Sequence, residues 1–292
     1  QPLELVLYDD SDDPKQSALN AVRLIEEEKV DILFSFVGTP TTLETLPLLS
    51  KHKKLLFFPY SGAHFLYEHP NNQFIVNQRA SYWQETAAIV DHFISNSKRK
   101  IAVYYQHDSF GESGLLGVKK ALSAHDTELL LTLNYEAGRT FTDNYADDAE
   151  KLLEAGPDAI ICIASYEATS GLIKEIRQTS NVPIGTLSFS DPQNIPDLIG
   201  TDVTIFNQLY YSQVTPESSK IDDLENYETI TKESFDPIIY EGYKNTIRLA
   251  EILKDYSVDE LTEKHALIQA ELSSASVTLY ESQRRDWVLI EE

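Results

Sequence analysis

Residues 30–63, VDILFSFVGTPTTLETLPLLSKHKKLLFFPYSGA, constrain the fold most, because they read as strand, tight turn, helix, strand and tight turn in succession. Asp31 to Val37 is a short apolar run of the kind buried in a parallel sheet. Gly38 ends it. Thr39 then stands where an N-cap belongs, Pro40 takes the first helical position, and Leu43, Leu46, Leu48 and Leu49 give the next segment an apolar face. A helix start is thereby aimed off a strand's carboxyl end. Its unpaired N–H groups and positive dipole end suit a carboxylate or another small anion.

The same alternation runs through most of the chain. Leu3 to Tyr8 reads as a strand, and Asp13-Pro14-Lys15-Gln16 opens a helix with an acidic cap, a proline at N1 and a capping-box Gln at N3. Further strands are expected at Ile101 to Tyr105, Glu128 to Asn134, Ala159 to Ala164, Pro183 to Phe189 and Thr204 to Tyr211. Helices are expected at about Tyr82 to Ser97, Gly114 to Ala124, Tyr145 to Ala155, Glu167 to Thr179 and Pro237 to Tyr256. Such alternation implies an α/β fold of parallel sheets flanked by helices, with too many units for one small sheet. Two lobes are therefore expected. Polar breaks at Ser95 to Lys100 and Ser218 to Ser234 mark the crossings. The expected lobes are residues 1–97 with 214–277, and residues 98–213 with 278–292, the stretch Thr278 to Ile290 forming a final strand pair that crosses back.

Composition narrows the function. A hydrophobic fraction of 42% over 292 residues excludes disorder, and no apolar run approaches the roughly 20 residues needed to span a bilayer, so no membrane insertion is expected in this segment. The balance of 47 acids against 24 bases, net −23, argues against nucleic acid and anionic membrane as partners. Cys162, the one cysteine, cannot form an internal disulfide and lies inside an apolar run, where a core thiol is expected. The opening at Gln1 reads as a processed or trimmed start.

Catalytic and metal motifs are weak. His107, Asp108 and Ser113 sit close together, but Gly111-Glu112-Ser113-Gly114-Leu115 lacks the spacing of a G-x-S-x-G elbow, and adjacent His and Asp at a strand end point apart. Asp9, Asp10, Asp12 and Asp13 suggest calcium, yet Pro14 follows where a calcium loop needs glycine, and capping explains them better. No dinucleotide or Walker sequence appears, and the histidines lack metal spacing. No enzyme, no cofactor and no metal are expected.

The strings YDDSDDPKQSALNAVRLI, VGTPTT, FPYSGA, NQRASYWQET, KIAVYYQHDSFGESGLLGVKKAL and EAGPDAIICIASYEA, in this order over roughly residues 3 to 250, resemble the type I periplasmic binding proteins. Within these the resemblance is to the leucine/isoleucine/valine-binding group of ABC-transporter substrate-binding proteins. The family's first strand and helix, and the cysteine pair of many members, are not among these residues. The resemblance implies a Venus-flytrap of two α/β lobes closing on a small ligand, located in the periplasm or outside the cell. It implies an amino-acid-like or amide-like solute and an ABC permease as partner. The alternative is an extracellular sensing domain whose partner is a receptor signalling domain or kinase.

In open parallel sheets ligands bind beyond the carboxyl ends of the strands, here Gly38-Thr39, Tyr60 to Ala63, Gln106 to Phe110, Ser165-Tyr166 and Ser188-Phe189. The candidate ligand residues are Thr39, Ser61, Gly62, Ala63, Phe110, Tyr166, Ser188 and Tyr82. By analogy with the family, Thr39, Ser61 and Ala63 hold a carboxylate-like end, while Phe110 and Tyr166 close over the ligand. Plainer readings stand beside these: Thr39 as a cap, Ser61 and Ala63 as turn formers, Phe110 and Tyr166 as core-edge aromatics, Tyr82 and Glu85 as a helix start. Family members that bind α-amino acids place an acid after the strand equivalent to Pro183 to Phe189. The turn here is Thr186-Leu187-Ser188-Phe189-Ser190. Either Asp191, Glu167 or Glu85 replaces that acid, or the ligand is an amide, urea-like compound or carboxylate without an ammonium.

Overall fold

Short apolar strands and capped helices alternate along the computed structural model, which describes residues 3–68, 72–200, 203–215, 221–272, 276–283 and 286–290. The first elements are α1 (Pro14–Glu26), β1 (Leu33–Phe34), α2 (Thr39–His52), β2 (Leu56–Phe57), α3 (Phe65–Glu68) and β3 (Ile75–Val76). Next come α4 (Tyr82–Ser95), β4 (Ile101–Gln106), α5 (Ser109–Ala124), β5 (Leu131–Tyr135), α6 (Ala146–Glu154), β6 (Ala159–Ile163) and α7 (Tyr166–Ile176). The remainder is β7 (Ile184–Thr186), α8 (Ile195–Ile199), β8 (Leu209–Gln213), α9 (Leu224–Thr231), α10 (Pro237–Asp255), α11 (Val258–Glu271), β9 (Thr278–Gln283) and β10 (Asp286–Leu289). Among the described residues no helix is long and apolar enough to cross a membrane.

The chain divides into two units, residues 1–79 with 215–275 and residues 80–214 with 276–292. The first crossing thus falls before α4, where the polar break at Ser95 to Lys100 had suggested one after it. The reason is packing. Gly185 on β7 leaves a gap filled by Ile89 and Phe93 of α4, and Gly117 on α5 lets Trp83 and Thr86 approach within the volume of a methyl group. A helix seated this closely on β7 and α5 belongs with them.

The first unit has a three-stranded parallel sheet in the order β1-β2-β3, and an isolated parallel bridge carries the β1–β2 pairing on to Val37 and Tyr60. Its core gathers Leu33, Leu56, Phe57 and Ile75 from the strands with Leu24, Leu46, Leu49 and Ile252 from the helices. The expected strand Leu3 to Tyr8 is not formed. Among the described residues none pairs with this stretch in a ladder: Val6 and Tyr8 pack against the core while Leu3, Leu5 and Leu7 face out. On α1 the expected cap is present, Asp13 accepting from Lys15 N, but Gln16 donates to Asn20 Oδ1 instead of closing a capping box. The expected polar excursion Ser218 to Ser234 lies partly outside the described residues. The described part contains α9, anchored by the fully buried Tyr227 among Phe235, Tyr240 and Tyr243.

The second unit has a seven-stranded sheet ordered β10-β9-β8-β7-β6-β4-β5. Strands β4 to β8 run parallel and β9 and β10 add an antiparallel pair at one edge. The all-apolar β6, AIICI, is buried throughout, as a central parallel strand should be. Strand β7 is shorter than its apolar pattern suggests, because Ser188–Ser190 turns away as a 3-10 segment.

Candidate functional site

In the first unit the site begins at Gly38. Its φ of 97° is glycine territory, and it occupies the N-cap without offering a side chain. Thr39 is therefore the first helical residue and not the cap expected from the sequence. Released from capping, its side chain bonds elsewhere: Thr39 Oγ1 and Ser61 Oγ are 2.8 Å apart, both residues fully buried. Ser61 Oγ also accepts from Ala63 N at 3.2 Å. Gly38 N donates to Tyr60 O at 3.3 Å, so the start of α2 is tied to the turn that follows β2. Four of the first unit's candidates, Thr39, Ser61, Gly62 and Ala63, are buried at this junction. The inner face of α2 also differs from the leucine stripe expected. Leu43 is exposed, and Thr41, Thr42 and Thr45 are buried with Leu46 and Leu49, their hydroxyls bonding Val37 O, Gly38 O and Thr42 O in turn.

Behind this junction stands Arg79. It is 3% exposed, lies over the Tyr60 ring at 4.4 Å and is ion-paired to Glu241 of α10. Its amide donates to Asn77 Oδ1 at 3.1 Å. In the sequence it is a lone Arg between Gln78 and Ala80, which carries no motif.

In the second unit the candidates Tyr82 and Phe110 meet, with ring centroids 5.3 Å apart at 69°. Phe189, which sequence reading noted only as a strand end, completes the group at 4.8 Å from Phe110 and 5.9 Å from Tyr82. Ser188 precedes it, and its backbone N–H donates to Glu85 Oε2 at 2.9 Å, an oxygen that also accepts from Ser212 Oγ at 2.7 Å. Glu85 is fully buried. This carboxylate therefore joins α4, the turn after β7 and β8. Tyr166 is not part of the aromatic group. It follows the cap Ser165, which accepts from Ala168 N, and packs half-buried against the main core of the unit.

The remaining acids and nucleophiles have local duties. Asp191 has a left-handed backbone, φ 48°, and accepts from Asn194 Nδ2. Asp108 caps α5 by accepting from Phe110 N and Gly111 N. His107 turns outward, its Nδ1 3.0 Å from Glu136 Oε1, and the Glu136 carboxylate holds the imidazole above its ordinary range. His107, Asp108 and Ser113 are thus not arranged as a triad. Cys162 is fully buried, and burial pushes its thiol up to about 12. Asp9, Asp10 and Asp13 accept from Ser11 N, Asp12 N and Lys15 N. Among the described residues no group of His, Cys, Asp and Glu is placed to hold a metal ion.

A family model described as periplasmic binding protein matches residues 1–228. No curated protein sequence matches the chain. Among solved structures, a possible leucine/isoleucine/valine-binding protein from Rhodopirellula baltica superposes with a TM-score of 0.86 at 24% identity, covering 99% of this chain and 85% of that one. A branched chain amino acid ABC transporter protein from Thermus thermophilus with bound valine gives 0.83 at 13% identity, over 98% and 84% of the two chains. A solute binding protein of an R. palustris ABC transporter in complex with benzoate gives 0.81 at 15% identity, over 97% and 83%. At these identities the likeness is one of fold.

Proposed function

The chain belongs to the periplasmic binding protein family, a family of solute-binding proteins and not of enzymes, and from that premise we propose that it binds a small carboxylate or amide with an apolar body and no ammonium group. It does so in the periplasm or outside the cell, and it delivers the solute to an ABC permease. Each unit supplies its own groups to this reading.

The observation that carries it is the buried Thr39–Ser61 hydroxyl pair at the start of α2. Each hydroxyl can both donate and accept, so this pair is chemically suited to meet a ligand oxygen. The helix start adds its dipole, so the junction favours a carboxylate or an amide carbonyl. In the second unit Tyr82, Phe110 and the partly exposed Phe189 form an aromatic group of the kind that suits a branched or aromatic body. Of the solved structures, the one named for bound benzoate holds a carboxylate on an apolar body without an ammonium, whereas valine, named for another, adds an ammonium to the same plan.

Two features support a ligand without an ammonium: the turn after β7, Thr186-Leu187-Ser188-Phe189-Ser190, carries no acid, and Glu85 Oε2 holds that turn by accepting from Ser188 N and Ser212 Oγ inside the second unit. A ligand ammonium brought into a buried site without a paired charge is costly. Isothermal titration with isovalerate and benzoate tests the carboxylate contact. T39V should weaken binding by about 1–3 kcal/mol, the range for leaving a buried partner unsatisfied. Unchanged affinity in a folded T39V protein would reduce Thr39 to a helix-start residue.

A further inference from the structure

Tyr135, the last residue of β5, joins the two helix starts that carry Phe110 and Tyr166. Its hydroxyl accepts from Ser165 N at 3.1 Å and donates to Gln106 Oε1 at 3.1 Å. The direction of every link is forced. Ser165 N–H can only donate, so the Tyr135 proton is left for Gln106, whose bonded atom must then be the carbonyl oxygen. That turns the Gln106 amide nitrogen toward Asp108, where it donates to Oδ2 at 2.5 Å. The other Asp108 oxygen accepts from Phe110 N at 2.9 Å and Gly111 N at 3.1 Å. At the far end Ser165 Oγ accepts from Ala168 N at 3.2 Å. An unbroken file of hydrogen bonds therefore runs from the first turn of α7 to the first turn of α5, across the carboxyl ends of β5 and β4. The Tyr135 ring needs none of it to pack, because it stacks on Tyr104 with centroids 5.0 Å apart at 12°.

We propose that Tyr135 is a positioning residue for solute binding, its hydroxyl locking the first turns of α5 and α7 to each other and so fixing where Phe110 and Tyr166 stand. This rests on the reading that Phe110 contacts the solute. Burial of Tyr135 holds its phenol above the ordinary range, so the donor is retained at neutral pH.

Y135F keeps the stacked ring and removes the hydroxyl alone. In the free protein, amide hydrogen exchange should quicken about fivefold, the equivalent of one modest hydrogen bond, at Ser165 and also at Phe110 and Gly111, which Tyr135 never touches. Q106L should quicken Phe110 and Gly111 similarly, and the double variant should add nothing there, since both break one file. The dissociation constant for isovalerate should rise about fivefold in Y135F. A hydroxyl serving stability alone would lower the unfolding midpoint and leave the Phe110 and Gly111 amides and the isovalerate affinity unchanged, and that result overturns the proposal. If the unaltered protein does not bind isovalerate, the carboxylate reading fails while exchange at Phe110 and Gly111 still decides whether the lock exists. If Y135F does not fold, Q106L makes the same break.

Discussion

Replacing Gly111 by alanine separates close packing from helix propensity. Alanine is intrinsically better than glycine inside a helix by about 1 kcal/mol, so on propensity alone G111A stabilises α5. The surroundings reverse the sign. A Cβ on Gly111 would lie 1.8 Å from the backbone oxygen of Gln106, 2.8 Å from its carbonyl carbon and 2.9 Å from its nitrogen. Favourable non-bonded contact begins near roughly 3.5 Å. Gln106 cannot retreat, because β4 is hydrogen-bonded to β5 on one side and β6 on the other. The start of α5 must shift instead, straining the Asp108 cap bonds to Phe110 N and Gly111 N. Overpacking of this kind costs about 1–3 kcal/mol or more, and the loss of a cap about 1 kcal/mol. A net destabilisation of about 2 kcal/mol is expected after the propensity gain. Gly242 in α10 is the control: a Cβ there meets nothing within 4 Å, so G242A should stabilise by up to about 1 kcal/mol. Urea titrations followed by far-UV circular dichroism compare the two. Equal shifts, or a G111A protein more stable than the parent, would show that α5 is not held against β4 as described.

Three further outcomes are expected. R79A should destabilise by about 3–5 kcal/mol, since it leaves the nearly buried Glu241 without its cation, whereas R79M/E241M should cost less than R79A alone because no charge is stranded; chemical denaturation of both proteins checks this. Cys162 should resist iodoacetamide in the folded protein, because its thiol is buried and raised to about 12, and should react only as fast as the second unit opens; labelling at the rate of a free thiol would contradict the placement. Burial lowers the His92 imidazole, which packs on the Tyr210 ring, below its ordinary value of 6.5. The folded state then binds the proton more weakly than the unfolded chain, so the contribution is present above about pH 6.5 and is lost as pH falls through that region. Urea midpoints at about pH 7.5 and about pH 5.5 should differ more for the parent than for H92Q, and equal differences would argue against it.

Much of this was legible in local patterns. Asp13 caps α1 with a side-chain bond that reads directly from residue type and position, and the apolar runs at β4 and β6 announce a parallel sheet. What escaped depends on partners distant in the chain. Glu85 reads as one acid in a helix start, yet its partner Ser212 is 127 positions away. Phe189 gains its place only when the chain turns out of β7 to meet Tyr82 and Phe110. The seating of α4 rests on Gly117 and Gly185, residues whose meaning lies in what fills the space beside them. Leu3 to Tyr8 has the alternation of a strand, but alternation orients side chains and does not supply a neighbouring strand. Thr39 is not the cap expected, because Gly38 takes the N-cap with its backbone alone and leaves Thr39 as the first helical residue.

The most direct test of the central claim is calorimetric titration of the unaltered protein with isovalerate, benzoate and isobutyramide against L-valine and L-leucine. Tighter binding of the carboxylates or the amide than of either amino acid, with T39V weakening it by about 1–3 kcal/mol, is the result this account predicts. Binding of L-valine or L-leucine as tight as, or tighter than, that of the carboxylates and the amide would contradict it.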